Sequence, residues 1–154
     1  MPKRCVECRS RELVATEAEE RLKVAGRTFA ATIPITKCAK CGATYVSHEA
    51  AGVLELWAAG ELARHGEASA ESFGFMRRAL GVKALDLAEL LAVAPETVSR
   101  WEHGRLPIDR GAVALLSAMV LDRLEGRTTT LDGLKALLNP DPLPALVRRR
   151  TRAA

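Results

Sequence analysis

Four cysteines near the start of the chain constrain its fold more than any other feature. They form two Cys-x-x-Cys pairs, Cys5/Cys8 and Cys38/Cys41, and they are the only cysteines among the 154 residues. Each pair directs two thiolates at one ion, and two pairs complete the tetrahedral shell that Zn²⁺ prefers, with Zn–S bonds of about 2.3 Å. Because four protein ligands leave no open coordination position, the sequence predicts one structural Zn²⁺ and not a catalytic one.

Disulfides and a redox-active motif are the two alternatives to zinc. The chain begins Met1-Pro2-Lys3-Arg4, without the apolar stretch of a signal peptide, and no later apolar stretch approaches the roughly 20 residues that cross a bilayer. We therefore expect a cytoplasmic protein with no membrane contact, and disulfides are disfavoured in that reducing compartment. A thioredoxin-like motif uses one cysteine pair inside a βα unit, whereas this chain has two pairs.

The 29 residues between the cysteine pairs predict a small β-sheet. Residues 12–16 and 21–24 alternate between apolar and polar side chains, and Gly26-Arg27 predicts a turn into a partner strand. Pro34 is expected to end that partner strand. A sheet of this size buries too little apolar surface to be stable alone, so we expect metal binding to supply the missing free energy.

An acidic connecting helix is predicted for residues 47–68. Ser47 is a suitable N-cap, apolar residues recur at helical spacing, and Gly66 stops the helix. Residues 47–71 carry five glutamates against one arginine, which makes this region a poor surface for DNA. Two interpretations stay open, a helix that packs Trp57 against a neighbouring domain and a linker whose acidic face contacts a partner protein.

The strongest functional signal is a helix-turn-helix pattern in the middle of the chain. A first short helix carries the small residue Ala88 on its inner face, and Val93 plugs the corner that follows it. Pro95 suits the first turn of a second helix, where its missing N–H would be unpaired in any case. Val98 and Trp101 then face inward, three residues apart. The alternative is a helical hairpin that completes an all-α core and binds nothing.

The outer face of the second helix carries side chains that can read DNA. Arg100 is the leading candidate, because a guanidinium donates two parallel hydrogen bonds to a guanine. Thr97 can instead bond a phosphate, which sets the register without reading the sequence. The predicted DNA-binding residues are Lys83, Pro95, Glu96, Thr97, Ser99, Arg100 and Arg105. They predict double-stranded DNA as the partner.

Residues 93–104, VAPETVSRWEHG, resemble the Xre family of helix-turn-helix domains, which includes Cro and lambda repressor. The resemblance implies an all-α domain of five helices over residues 69–139. It also implies that Glu102 pairs with Arg77, a structural contact and not a DNA contact. The family often has a phosphate-holding glutamine where this chain has Ala84. The residues predicted to hold the domain together are Arg77, Ala88, Val93, Val98, Trp101 and Glu102.

The order of the parts resembles the MqsA family of antitoxins and the related YgiT-type zinc-finger regulators. In that arrangement two Cys-x-x-Cys pairs flank a region of strand and precede an Xre-like domain. The resemblance implies a repressor that regulates its own operon, forms a homodimer through its C-terminal domain, binds a palindromic operator and masks a small toxin protein. An asparagine commonly reads bases in this family where the chain has Glu96, and the arginine four residues later is matched by Arg100.

Together these patterns predict a mainly α protein with a small β module that binds zinc. The predicted parts are a zinc-binding module (1–46), a linker helix (47–68), an Xre-type DNA-binding domain (69–139) with helices at 109–124 and 131–138, and a flexible basic tail (140–154). The predicted function is a sequence-specific transcriptional repressor and autoregulating antitoxin; a solitary regulator and a zinc-module adaptor for protein interaction are the alternatives. No enzyme is expected, because His65 and His103 have no nucleophile or open metal site nearby.

Overall fold

The computed structural model describes residues 3–146 and, within them, a three-stranded antiparallel sheet followed by six helices. The strands are β1 (Leu13–Val24), β2 (Arg27–Cys38) and β3 (Thr44–Val46), and the helices are α1 (His48–Arg64), α2 (Ala70–Ala79), α3 (Ala84–Leu90), α4 (Pro95–Glu102), α5 (Arg110–Leu124) and α6 (Thr129–Leu138). At this level the prediction of a small β module followed by helices is confirmed. The arginines of the predicted tail, at 148–150 and 152, lie outside the described residues. None of the helices between residues 3 and 146 is both long and apolar enough to cross a membrane.

A two-residue turn joins β1 to β2. Val24 pairs with Arg27, and Ala25 and Gly26 between them have φ values of 51° and 70°. Positive φ at both central residues is the type I′ geometry that matches the twist of the two strands. Gly26 adopts it freely, whereas the Cβ of Ala25 makes it costly. The prediction of a Gly26-Arg27 turn is therefore wrong by one residue, because Arg27 already belongs to β2.

The strands of the hairpin are longer than the sequence predicts. Residues 13–16 and 21–24 belong to a single strand of 12 residues, and residue 12 precedes it. The prediction that Pro34 ends its strand is wrong, since β2 continues to Cys38. The pairing of β2 with β3 begins only at Ile35, so Pro34 lies where β2 has β1 as its one strand neighbour. A strand accepts proline at such an edge because no ladder hydrogen bond is needed there.

One face of the sheet packs against α1. Ile33 and Ile35 share this face because side chains alternate along a strand. They form a buried cluster with Ala50 and Leu54 from the first half of α1. Since β2 ends at Cys38, the same packing fixes the strand that leads into the second cysteine pair.

Helix α1 packs closely against the helices that follow it. Ala58 and Leu62 are buried in one apolar cluster with side chains of α2, α3, α4 and α5. At Gly60 the crossing with α5 is so close that a Cβ would overlap the side chain of Leu124. Of the two interpretations of residues 47–68, these contacts match the packing helix. Trp57 nevertheless keeps 36% of its surface exposed.

Candidate metal centre and candidate nucleic-acid interface

Two loops of matching backbone geometry carry the cysteines. In the first loop the Arg9 N–H donates to the Cys5 carbonyl, and in the second the Gly42 N–H donates to the Cys38 carbonyl, both at 2.9 Å. Arg9 and Gly42 also share a positive φ, of 59° and 78°. Gly42 adopts this left-handed conformation freely, whereas Arg9 adopts it at a steric cost. The two Cys-x-x-Cys pairs therefore fold as two copies of one knuckle.

The knuckles bring the four sulfurs together. All four Sγ atoms lie within 4.8 Å of one another, with Cys5 and Cys41 at 3.4 Å and Cys8 and Cys38 at 3.6 Å. Tetrahedral bonds to one zinc ion would place the sulfurs about 3.8 Å apart. The cluster thus has the size and the donor atoms of a four-thiolate site, and the four predicted ligands could hold a metal ion.

Tyr45 in β3 supports the cluster, and sequence reasoning missed it. Its hydroxyl oxygen accepts a hydrogen bond from the Val6 N–H at 2.9 Å and lies 3.1 Å from Cys5 Sγ. A thiolate can only accept, so when Cys5 is ionised the Tyr45 hydroxyl donates its proton to the sulfur. The bond from Tyr45, together with the N–H of Cys8, lowers the pKa of Cys5 to about 6. The one sequence signal was the position of the chain's single tyrosine, four residues after the second cysteine pair.

The thiols oppose one another's ionisation. Although the N–H of Ala43 lowers the pKa of Cys41, the neighbouring Cys5 and Cys8 thiols raise it to about 12. Four sulfurs at this spacing cannot all become thiolates in water without a cation between them, because like charges at short range disfavour each other. A divalent metal ion removes that repulsion, which is why the arrangement suits a metal better than four free thiols.

The turn between α3 and α4 is closed by the backbone. The Ala92 N–H donates to the Glu89 carbonyl at 3.1 Å, and the Val93 N–H donates to the Ala88 carbonyl at 3.0 Å. This pair of bonds is a Schellman motif, which requires a left-handed residue after the helix, and Ala92 has a φ of 53°. Four other helices use glycine at the equivalent position: Gly66 after α1, Gly81 after α2, Gly104 after α4 and Gly126 after α5.

The inner side of α4 is fixed in the core. Val98 and Trp101 are buried, and Trp101 meets Phe73 of α2 edge to face with 5.8 Å between the ring centroids. Ala88 of α3 is buried beside them, and Val93 is partly buried at the corner. Side chains on the other side of α4 must therefore face away from the core.

An ion pair ties α4 to α2. The Arg77 Nε donates to Glu102 Oε1, and Arg77 Nη2 donates to Glu102 Oε2 at 2.9 Å. Arg77 Nη1 also donates to the Val82 carbonyl at 2.8 Å, in the loop between α2 and α3. The structure thus contains the Arg77–Glu102 pair that the Xre resemblance implies, and both side chains are largely buried.

The outer side of α4 carries polar side chains. Glu96, Ser99 and Arg100 are exposed, and Thr97 is half-buried. None of the ion pairs formed between residues 3 and 146 includes Glu96 or Arg100. The predicted base-reading side chains are therefore together on one accessible surface.

The remaining predicted contacts lie near the ends of α3 and α4. Pro95 occupies the first turn of α4, and exposed Lys83 is the residue before α3. Exposed Arg105 follows α4, where its N–H donates to the Arg100 carbonyl at 2.8 Å. Each of these three residues lies at the end of a helix or in the loop next to it.

No protein-family model, curated protein or solved structure matches this chain, and the two resemblances rest on the motif residues alone.

Proposed function

We propose that the chain is a sequence-specific DNA-binding regulator that inserts α4 into the major groove of duplex DNA. The observation that carries this proposal is the division of α4 into two sides. Its inner side is anchored by buried Val98 and Trp101, whereas its outer side presents Glu96, Ser99 and Arg100 to solvent. A recognition helix needs both properties, since a base-reading side chain gains specificity only when its backbone is held rigidly.

The side chains of α4 fit the chemistry of base edges. The Arg100 guanidinium can donate two hydrogen bonds to the O6 and N7 atoms of guanine, and the Glu96 carboxylate can accept from the N4 amine of cytosine. Lys83, which precedes α3, and Arg105, which follows α4, are exposed and suit the phosphates that position the protein without reading sequence. The proposed base preference is therefore guanine opposite Arg100.

In this proposal the metal is Zn²⁺ and its role is structural. Four sulfur donors with tetrahedral spacing suit zinc, and four protein ligands leave no position for a substrate. The ion would be held by Cys5, Cys8, Cys38 and Cys41, with Tyr45 donating to the Cys5 sulfur. Bound zinc supplies folding free energy to a sheet too small to be stable alone.

The proposal includes a two-fold dimer formed by the C-terminal helices. Leu137 and Leu138 at the end of α6 are exposed, and Leu137 keeps 79% of its surface. Burying these leucines between two copies would remove apolar surface from water. A two-fold axis would place the two α4 helices about 34 Å apart, which is one turn of DNA.

Selection of bound duplexes from a random pool tests the proposal. The zinc-loaded full chain is expected to enrich a palindrome whose half-sites are centred about one helical turn apart and contain a guanine. The matched control is Arg100→Ala, for which we expect the guanine preference to be lost. Failure of the wild-type chain to enrich any sequence, or enrichment of the same sequence by Arg100→Ala, would overturn the proposed role of α4.

A further inference from the structure

A cleft of about 390 Å³ opens between the start of β2 and the second half of α1. It is separate from the cysteine cluster and from α4, and neither proposed role uses it. Its volume falls within the range of roughly 300–1,000 Å³ that small-molecule sites occupy.

Rigid elements form both walls of the cleft. Trp57, Glu61 and His65 follow one another at four-residue spacing, so they lie on one face of α1. The opposite wall is the segment 27–30 of β2, which lies beyond the part of that strand paired with β3. The helix and the hairpin therefore set the positions of these residues. Glu67 lines the cleft from the loop between α1 and α2, where its Oε1 accepts a hydrogen bond from the Ser69 N–H at 3.2 Å.

Two aromatic rings form the apolar part of the lining. Phe29 and Trp57 meet edge to face, with 6.0 Å between their centroids and 88° between their planes. Trp57 keeps 36% of its surface exposed, so part of its indole ring is accessible from the cleft. The face of an aromatic ring attracts a cation, and tryptophan does so most strongly.

The polar part of the lining can pair with a positively charged ligand through two carboxylates. These belong to Glu61 and Glu67, and the guanidinium of Arg27 lies in the same lining. Glu61 has one partner, Arg64, in a pair whose arginine is about half exposed, and exposed pairs of this kind contribute little.

His65 adds a hydrogen-bond acceptor. Its Nδ1 lies 2.8 Å from the Glu61 carbonyl oxygen, and because a carbonyl only accepts, Nδ1 carries the proton. When the ring is neutral, its lone pair is therefore on Nε2, and with the two carboxylates this gives the cleft three acceptor groups for an N–H donor.

We propose that this cleft binds a small organic ammonium ion. The ammonium group is held by Glu61 and Glu67, and the apolar body of the ligand packs against Phe29 and Trp57. The site is additional to the proposed DNA-reading surface, and its failure would leave that surface untouched.

The test is a titration of the ¹⁵N-labelled, zinc-loaded full chain with phenethylammonium chloride, followed by NMR. The indole N–H of Trp57 is expected to shift saturably, while that of Trp101, which is 4% exposed, stays in place as an internal control. Phenethyl alcohol, which has the same shape without the charge, is expected to bind at least about tenfold more weakly.

Three variants locate the site. Glu61→Gln/Glu67→Gln keeps the hydrogen-bonding shape and removes the charge, and it is expected to raise Kd by about tenfold or more. Trp57→Leu should weaken binding by a similar factor, and it tests the site independently if the double variant folds poorly. Glu55→Gln, on the same helix but outside the cleft, should leave Kd unchanged. The proposal is overturned if the Trp57 signal does not shift saturably, if the alcohol binds as well as the amine, or if all variants bind alike.

Discussion

Tyr45→Phe removes one hydroxyl from the metal centre and keeps the aromatic ring. The substitution deletes the O–H···S hydrogen bond to Cys5, and a hydrogen bond to a charged group contributes roughly 1.5–3 kcal/mol. The Val6 N–H, which loses its acceptor, is exposed, so water can replace that second bond at little cost. We therefore expect Zn²⁺ to bind about 10- to 100-fold more weakly, as is typical when a residue that orients a metal ligand is removed.

Competition with a chromophoric zinc chelator at constant pH measures this change. The matched control is Thr44→Val, which alters an exposed neighbour of Tyr45 on the same strand and should leave the affinity unchanged. Native mass spectrometry should find one zinc ion per chain in the wild type and in both variants. If Tyr45→Phe binds zinc within about twofold of the wild type, the hydroxyl has no role in holding the Cys5 thiolate.

Four further variants test the packing around α4 and α6. Ala92→Gly should raise the free energy of unfolding by roughly 0.5–1 kcal/mol, because glycine adopts the φ of 53° without steric cost; a lower midpoint in urea would contradict this. Glu102→Ala should lower the free energy of unfolding by about 3 kcal/mol, because it leaves Arg77 charged and largely buried without its partner. Arg77→Met/Glu102→Leu should recover most of that loss, and equal losses in the single and double variants would refute the explanation. The N–H and hydroxyl of Thr130 lower the pKa of Asp122 below its usual 3.8. The ionised Asp122 carboxylate therefore stabilises the fold fully above pH 3.8, and this stabilisation is lost as the pH falls through the lower folded-state pKa. Asp122→Asn should remove this pH dependence of the free energy of unfolding, measured by urea unfolding over a pH series. An unchanged pH dependence would refute the role of Asp122.

Local patterns in the sequence were sufficient for the features that depend on neighbouring residues. The spacing of Cys5 and Cys8, and of Cys38 and Cys41, already requires two short loops that can face one ion. Ser47 caps α1 as predicted, because an N-cap depends only on the first turn of its own helix. These features needed no knowledge of the tertiary fold.

Features that depend on distant contacts could not be predicted in this way. Tyr45 contacts Cys5 although the two residues are 40 positions apart in the chain, and no periodic pattern in the sequence predicts that contact. The sequence predicts the turn between β1 and β2 one residue too late, because alanine rarely adopts a positive φ and the pairing of Val24 with Arg27 imposes one on Ala25. The sequence leaves the packing of α1 open because its glutamates also suit a linker whose acidic face contacts a partner protein, while the close approach at Gly60 depends on α5.

The binding of Arg100→Ala to the duplex selected by the wild-type chain tests the central claim most directly. We expect the variant to lose about 1–3 kcal/mol of specific binding in fluorescence anisotropy, with an unchanged circular dichroism spectrum and unchanged affinity for unrelated DNA. Arg123→Ala, which removes an exposed arginine in the last turn of α5, should bind as the wild type does. Equal affinities of Arg100→Ala and the wild type for the selected duplex would contradict the account, since the outer face of α4 would then not read DNA.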